Sequence, residues 1–121
     1  MNMTTVMTVL SAEVVSRDPP DLAEDIAGGA AADLMSDVLS FAQPNSVLLT
    51  GLTNPQVVRT AEMAGILAIV FVRGKRPPEE TLDLAEEVGI PLLSTRYSMY
   101  EACGRLNAAG LRASMPMLPD R

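Results

Sequence analysis

Three short segments of the sequence place hydroxyls, glycines and cations directly after apolar runs. They are TGLTN (50–54), RGKR (73–76) and STR (94–96). Arginine and lysine side chains bind phosphates and carboxylates, and glycine lets backbone N–H groups approach a ligand closely. The chemistry that these segments could perform together is recognition of a small anion, such as a nucleotide phosphate or an acidic side chain.

The candidate ligand-binding residues come from these segments and from the helix start that follows the third one. We expect RGK to contact the anion, the first segment to form the opposite wall, and the third to add hydroxyls, while Arg76 and Arg96 add positive charge. The alternative is that the glycines only form turns and the cations are solvated. The segments contain no G-x-x-x-x-G-K-[ST] motif, so they do not form a P-loop. The candidate residues are Thr50, Gly51, Thr53, Asn54, Arg73, Gly74, Lys75, Thr95 and Ser98.

A repeat of about 22 residues, the length of a strand plus a helix, predicts the elements that position these segments. SVLLTG, LAIVFVRG and IPLLST each lead into a polar turn, a helical pattern and a closing glycine. Continuous apolar runs are typical of parallel strands covered on both faces. We therefore predict an α/β single-domain sandwich with a mainly parallel sheet flanked by helices, built from repeated strand-loop-helix units. The three segments would then gather at the carboxyl edge of the sheet, beside helix N-termini that favour anions.

Local signals set the ends of the predicted elements. Asn54 before Pro55, and Ser98 three residues before Glu101, indicate helix starts, and Gly65, Gly89 and Gly110 indicate helix ends. In the N-terminal third, we predict extended structure over residues 4–16 and a helix over about 31–42. The chain reads as a single domain over 1–121, with its core at about 4–111 and an irregular tail at 112–121.

Composition excludes several classes of function. The 121 residues carry a net charge of −6 and contain no histidine. The negative charge argues against a nucleic-acid partner, and the missing imidazole removes Ser-His and Cys-His catalysis. No segment has the length of a membrane span, and the first residues lack the pattern of a secretory signal. We expect a cytoplasmic protein with no membrane association, no catalytic residue, no metal and no cofactor.

Three other features each have a functional and a structural interpretation. Asp33 and Asp37 lie one helical turn apart and could hold Mg²⁺, but a solvated polar face is the favoured explanation. Cys103 lies on an apolar helix stripe, which favours a buried structural thiol over a nucleophile. Met115, Met117 and Leu118 have no evident core to join, and an exposed apolar patch there would indicate a homodimer.

The order of several short motifs resembles that of a stand-alone DRTGG domain. The resemblance runs from about residue 26 to 111 and includes D-L-M-S-D-V, T-N-P, G-K-R-P followed by E-E-T, and S-T-x-x-S-M-x-E-x-x-G-x-L. At the positions of the family's naming residues, this chain has Gly51-Leu52-Thr53-Asn54 and Arg73-Gly74-Lys75. The resemblance implies an α/β fold, a tendency to pair, and a regulatory role without chemistry of its own. Such domains occur in bacterial phosphate acetyltransferases and beside CBS domains in regulatory pyrophosphatases.

Two functions follow from the residues and the resemblance together. The first is a non-catalytic regulatory or ligand-sensing module, homodimeric, that binds a small anionic ligand such as a nucleotide. The second is a ligand-free structural adaptor that docks a protein partner. Phosphoryl or acyl transfer is disfavoured, because no base of tunable pKa is evident beyond the carboxylates.

Overall fold

The computed structural model describes residues 1–119, in which helices and strands alternate over most of the chain. The helices are α1 (Met3–Leu10), α2 (Met35–Phe41), α3 (Pro55–Ala64), α4 (Glu79–Val88) and α5 (Met99–Ala108). The strands are β1 (Glu13–Val14), β2 (Gly28–Ala31), β3 (Ser46–Thr50), β4 (Ala68–Phe71) and β5 (Leu92–Ser94).

The five strands form one sheet in the order β1-β5-β4-β3-β2. Strands β2 to β5 are parallel, and β1 lies antiparallel beside β5. Leu49 of β3 lies opposite Val70 of β4, which lies opposite Leu93 of β5. The parallel strands therefore finish at the same edge, and the predicted α/β fold with a mainly parallel sheet is confirmed.

Helices cover both faces of the sheet, which explains why β3, β4 and β5 are buried at every position. Helices α1 and α5 pack on one face, and α2, α3 and α4 pack on the other. In β3, Val47 and Leu49 belong to the core on the face covered by α1 and α5, and Leu48 belongs to the core on the face covered by α2, α3 and α4. All three are buried. Burying one such side chain stabilises the fold by roughly 1.5–3 kcal/mol.

The predicted caps are present at the helices of the repeat. The Asn54 side chain accepts a hydrogen bond from the N–H of Val57 (3.3 Å), and Ser98 accepts one from the N–H of Glu101 (3.2 Å). Gly65 and Gly89 end α3 and α4 in the left-handed conformation, with φ of 73° and 78°. The repeat is therefore a series of capped helices that return the chain to the sheet.

The prediction of extended structure over residues 4–16 is wrong for most of that range, because Met3–Leu10 form α1. Its threonines and valines favour strands locally, but Met3, Val6 and Leu10 are spaced at helical intervals and are buried together. Asn2 caps the helix by accepting from the N–H of Thr5 at 2.9 Å. Only β1, two residues long, is extended within that range as a strand.

The prediction of a helix from about residue 31 also needs correction, because residues 28–31 form β2 and α2 begins at Met35. Gly28 and Gly29 admit a neighbouring segment of chain: a Cβ on Gly28 would lie 3.2 Å from Ser114 Cα. The N–H of Gly29 donates to Arg112 O (2.9 Å), and its carbonyl accepts from Ser114 N (2.8 Å). Glycine is therefore needed here for close approach of two backbones.

The predicted irregular tail is attached to the domain at its beginning. Ala113 bridges Gly29 in parallel, and the buried Ser114 hydroxyl lies 2.8 Å from that of Ser46. Met115 is half-buried against the core on the face covered by α2, α3 and α4, whereas Met117 and Leu118 are exposed. Asp120 and Arg121, also part of the predicted tail, lie outside the described residues.

Candidate functional site

Direct hydrogen bonds join the three segments that follow β3, β4 and β5. Lys75 Nζ donates to the carbonyl of Gly51 at 2.8 Å, which links the second segment to the first. The N–H of Gly74 donates to the carbonyl of Thr95 at 2.7 Å, which links the second to the third. All three segments therefore lie at the carboxyl edge of the sheet, as consecutive parallel strands require.

The backbone N–H groups that were expected to approach an anion are already engaged within the protein. The N–H of Gly51 donates to Asp33 Oδ1 at 2.8 Å, and that of Gly74 donates to Thr95. Arg73, with a left-handed φ of 59°, donates its N–H to the carbonyl of Tyr97 at 2.8 Å. These three N–H groups fix the loops to one another, so none of them is free to contact a ligand.

The hydroxyl and amide side chains among the candidate residues mostly support the fold. The buried Thr95 hydroxyl donates to the carbonyl of Leu10 at 2.7 Å, and the buried Thr50 hydroxyl donates to Asp33 Oδ1 at 2.8 Å. Asn54 and Ser98 are the caps already described. Thr53 is half-buried, and its carbonyl accepts from the hydroxyl of Thr81.

The charged side chains, in contrast, are available at the surface. Arg73, Lys75, Arg76 and Arg96 are all exposed. Arg76 pairs with Glu13 of β1, whereas no carboxylate in residues 1–119 lies within salt-bridge distance of the other three. The cationic surface is therefore only partly neutralised, although the protein as a whole is acidic.

A cleft opens beside these cations at the ends of β1, β4 and β5. We call it the carboxyl-edge cleft; its volume is about 490 Å³. A volume of this size is within the range of small-molecule sites. The lining residues are Ser11, Glu13, Gly74, Arg76, Ser94 and Arg96.

Asp33 also belongs to this edge, whereas the sequence interpretation places it on a helix face as a possible Mg²⁺ ligand. It follows β2, so it lies beside the end of β3 rather than on a helix, and its Oδ1 accepts from both Thr50 and Gly51. The helix predicted over about 31–42 includes this position, so the prediction does not place the end of β2 at the carboxyl edge. The signal was G-G-A-A-A followed by an aspartate, a short run of small residues ending in a polar group.

The alternatives for metal binding and thiol chemistry receive no geometric support in the described part of the chain. Asp33 lies in the loop between β2 and α2, while Asp37 lies in the first turn of α2 and is exposed. No group of three or more acidic or thiol side chains in residues 1–119 is arranged to hold a metal ion. Cys103 is half-buried on α5, and this burial raises the pKa of its thiol.

Comparison with known proteins then assigns the family. The sequence profile of the DRTGG domain matches residues 5–109. The chain belongs to the DRTGG domain family. The match covers every strand of the sheet and all five helices except the first two residues of α1.

A solved structure shares the fold over nearly the whole chain. It is the crystal structure of the CBS and DRTGG domains of the regulatory region of Clostridium perfringens pyrophosphatase, complexed with its activator, diadenosine tetraphosphate. The TM-score is 0.71 at 16% identity, over 95% of this chain and 50% of that one. This chain therefore spans about half the length of the structure that it resembles.

Two further findings bear on what the chain is. Among curated proteins, none matches the sequence. None of the helices in residues 1–119 combines the length and apolar character that crossing a bilayer requires.

Proposed function

We propose that this DRTGG domain is a non-catalytic regulatory module that senses a small anionic ligand, such as a nucleotide, at the carboxyl-edge cleft. The observation that carries the proposal is the convergence of four cations, three of them without a carboxylate partner among residues 1–119, on the edge where open α/β sheets bind ligands. The similar regulatory region from the pyrophosphatase, crystallised with a nucleotide activator, supports the same class of ligand.

Arg73 adds a specific argument for a binding role. Its left-handed backbone would cost roughly 1–2 kcal/mol less with glycine at this position. Residues held in such conformations are concentrated at functional sites. The backbone geometry alone therefore favours glycine at this position. A ligand contact made by the guanidinium would explain why the chain has arginine there instead.

The side chains would divide the work of binding. Arg73 and Arg96 would contact the phosphates, because both are exposed and neither has a carboxylate partner in the described residues. Arg76 would exchange its contact with Glu13 for the ligand or hold the cleft wall in place. Gly74 lines the carboxyl-edge cleft, and the Lys75 side chain extends toward Gly51.

Isothermal titration of the purified protein with ATP, ADP and AMP tests the proposal, together with thermal unfolding in their presence. A nucleotide at 100 times its dissociation constant should add about 2.7 kcal/mol to the free energy of unfolding. Arg96→Ala and Arg73→Ala should each weaken binding. Arg59→Ala is the matched control, because Arg59 lies on the exposed face of α3 and pairs with Glu62.

The proposal fails if no nucleotide, inorganic phosphate or pyrophosphate shifts the unfolding midpoint. It also fails if Arg59→Ala reduces binding as much as the two edge variants do. Turnover of ATP by the pure protein would contradict the non-catalytic part of the proposal.

We also propose that the module is a cytoplasmic homodimer, joined through an apolar patch on α2 and the adjoining tail. Leu34, Leu39 and Phe41 are each about half exposed or more, at 60%, 49% and 50%. The tail begins beside the end of α2, where the Ser114 hydroxyl accepts from Gln43 N at 2.8 Å, and continues to the exposed Met117 and Leu118. Leu34 and Phe41 are two helical turns apart and so share one side of α2, and an exposed apolar surface of this kind is typical of an interface.

The second candidate function is a ligand-free adaptor, and the same patch favours it. In that case α2 would bind a different protein, and the cations at the carboxyl edge would only be solvated by water. Nucleotide binding separates the two functions, because the adaptor predicts no binding at the carboxyl-edge cleft.

A further inference from the structure

A polar notch lies over Gly51, between the ends of β2, β3 and β4. We call it the Gly51 notch and define it by Asp33, Gly51 and Lys75. A Cβ built on Gly51 would lie 3.5 Å from Asp33 Oδ2 and 3.6 Å from Lys75 Nζ, with no atom closer. The missing side chain therefore leaves a small space that is bordered by both a carboxylate and an ammonium group.

Both charged groups of the notch have unused hydrogen-bonding capacity. Asp33 Oδ1 accepts from Thr50 and Gly51, whereas Oδ2 receives no hydrogen bond from residues 1–119. Lys75 Nζ has three protons and donates one hydrogen bond, to the carbonyl of Gly51. The carboxylate and the ammonium group are not within salt-bridge distance of each other, although both flank the same atom position.

A hydroxyl group has the chemistry that this arrangement recognises. Its proton can be donated to Asp33 Oδ2 while its oxygen accepts from Lys75 Nζ. A bare phosphate would be repelled by the carboxylate, and an ammonium group by the lysine. Carboxylates perform this role toward ribose hydroxyls in dinucleotide-binding folds, which shows that the contact is chemically sound.

We propose that the Gly51 notch binds a sugar hydroxyl of the ligand, so that the ligand class is a nucleotide or a related sugar phosphate rather than a bare anion. This inference rests on the proposed anion site in the carboxyl-edge cleft. Neighbouring strands lie about 4.8 Å apart, which places the ends of β3 and β5 about 10 Å from each other. A nucleoside triphosphate spans that separation, with its phosphates at the arginines and its ribose at the notch.

A purely structural role for Asp33 makes a different prediction, since it needs only the two hydrogen bonds to Oδ1. Asp33→Asn keeps an oxygen for Thr50 and Gly51 but replaces Oδ2 with an NH₂ group, which removes the charge and the free acceptor. Gly51→Ala fills the notch with a methyl group at ordinary van der Waals distance and at a backbone φ that alanine tolerates. We therefore expect both variants to fold. Asp33→Asn removes the free acceptor of the notch, and Gly51→Ala fills its space.

The experiment compares three probes by isothermal titration: ATP, 2′,3′-dideoxy-ATP and inorganic tripolyphosphate. The wild-type protein should bind ATP about tenfold or more tightly than the dideoxy nucleotide, the scale of one charge-assisted hydrogen bond. Asp33→Asn and Gly51→Ala should reduce ATP affinity to the dideoxy level. Tripolyphosphate affinity should stay within about twofold in Gly51→Ala, which alters no charge.

The outcomes separate this inference from the function on which it rests. If tripolyphosphate and dideoxy-ATP bind as well as ATP, the hydroxyl subsite is wrong and the anion site stands. If no probe binds, the anion site and the subsite both fail. If the two variants still prefer ATP to the dideoxy nucleotide as strongly as the wild type does, recognition of the hydroxyl lies elsewhere and the assignment to the notch is overturned.

Discussion

Thr95 shows how a residue of suitable type at the expected place can have a structural role. Its hydroxyl is buried and donates to the carbonyl of Leu10, which fixes the end of α1 to the end of β5. The sequence indicated a hydroxyl at the carboxyl edge, but it could not show that α1 supplies an acceptor there. The acceptor appears only once residues 3–10 are known to be helical.

Thr95→Val should therefore lower the free energy of unfolding by about 1–2 kcal/mol, because it leaves the Leu10 carbonyl without its donor in a buried position. Thr4→Val is the matched control, since the Thr4 hydroxyl also donates to a carbonyl, that of Leu22, but at an exposed position where water can replace it. Urea unfolding of both variants measures the difference. Equal destabilisation would contradict the structural role given to Thr95.

Cys103 provides a prediction on pH. Burial raises the pKa of its thiol, so the protonated form persists to higher pH than in a free thiol, and less of the reactive thiolate is present at pH 8. Iodoacetamide should label the folded protein more slowly than the protein unfolded in guanidinium, and the difference should shrink at higher pH. The same shift means that stability falls as the pH rises through the range in which the unfolded thiol ionises. Equal labelling rates in the folded and unfolded states at pH 8 would show that the thiol is neither shielded nor shifted.

At the scale of elements, the repeat could be predicted because local and tertiary signals agree within it. Each helix of the repeat has a cap or a closing glycine, and each strand of the repeat is buried throughout and mainly apolar. The two errors fall where these signals conflict. In α1, burial of Met3, Val6 and Leu10 overrides the strand preference of the threonines and valines. In β2, glycine and alanine form a strand because they pair with β3 on one side and with residues 112–114 on the other.

The closing glycines of α3 and α4 allow a quantitative test of what each helix end requires. Both have a left-handed φ, but a Cβ on Gly65 would lie 2.9 Å from Pro44 Cβ, whereas a Cβ on Gly89 would meet nothing within 4 Å. Gly89→Ala should cost about 1–2 kcal/mol of stability from the backbone alone. Gly65→Ala should cost clearly more, because the overlap with Pro44 is added to the same backbone cost. Thermal unfolding of the two variants gives the comparison, and a Gly65→Ala variant no less stable than Gly89→Ala would mean that the loop at Pro44 yields freely.

For the whole molecule, topology is what made part of the candidate site predictable. Three successive parallel strands must present their ends at one edge, and this alone brings Gly51, Gly74 and Thr95 together. The use of each N–H and hydroxyl could not be predicted in the same way, since it depends on angles and on partners such as Asp33 that are distant in sequence. Arg73 and Arg96 are exposed at this edge, and their role in binding stays a prediction.

The apolar patch on α2 leads to a prediction about assembly. Phe41 is half exposed at the end of α2, beside the start of the tail, and a second copy of the chain would bury it. Phe41→Glu should therefore raise the dimer dissociation constant by at least about tenfold, because it places a carboxylate in an apolar contact. Sedimentation velocity over a range of protein concentrations measures the change. Tyr100→Glu is the matched control: it makes the same kind of substitution at a more exposed aromatic residue on α5, which covers the opposite face of the sheet. A wild-type protein that stays monomeric at every concentration would contradict the homodimer. A Tyr100→Glu variant that dissociates as readily as Phe41→Glu would show that the added negative charge, rather than loss of this patch, causes the dissociation.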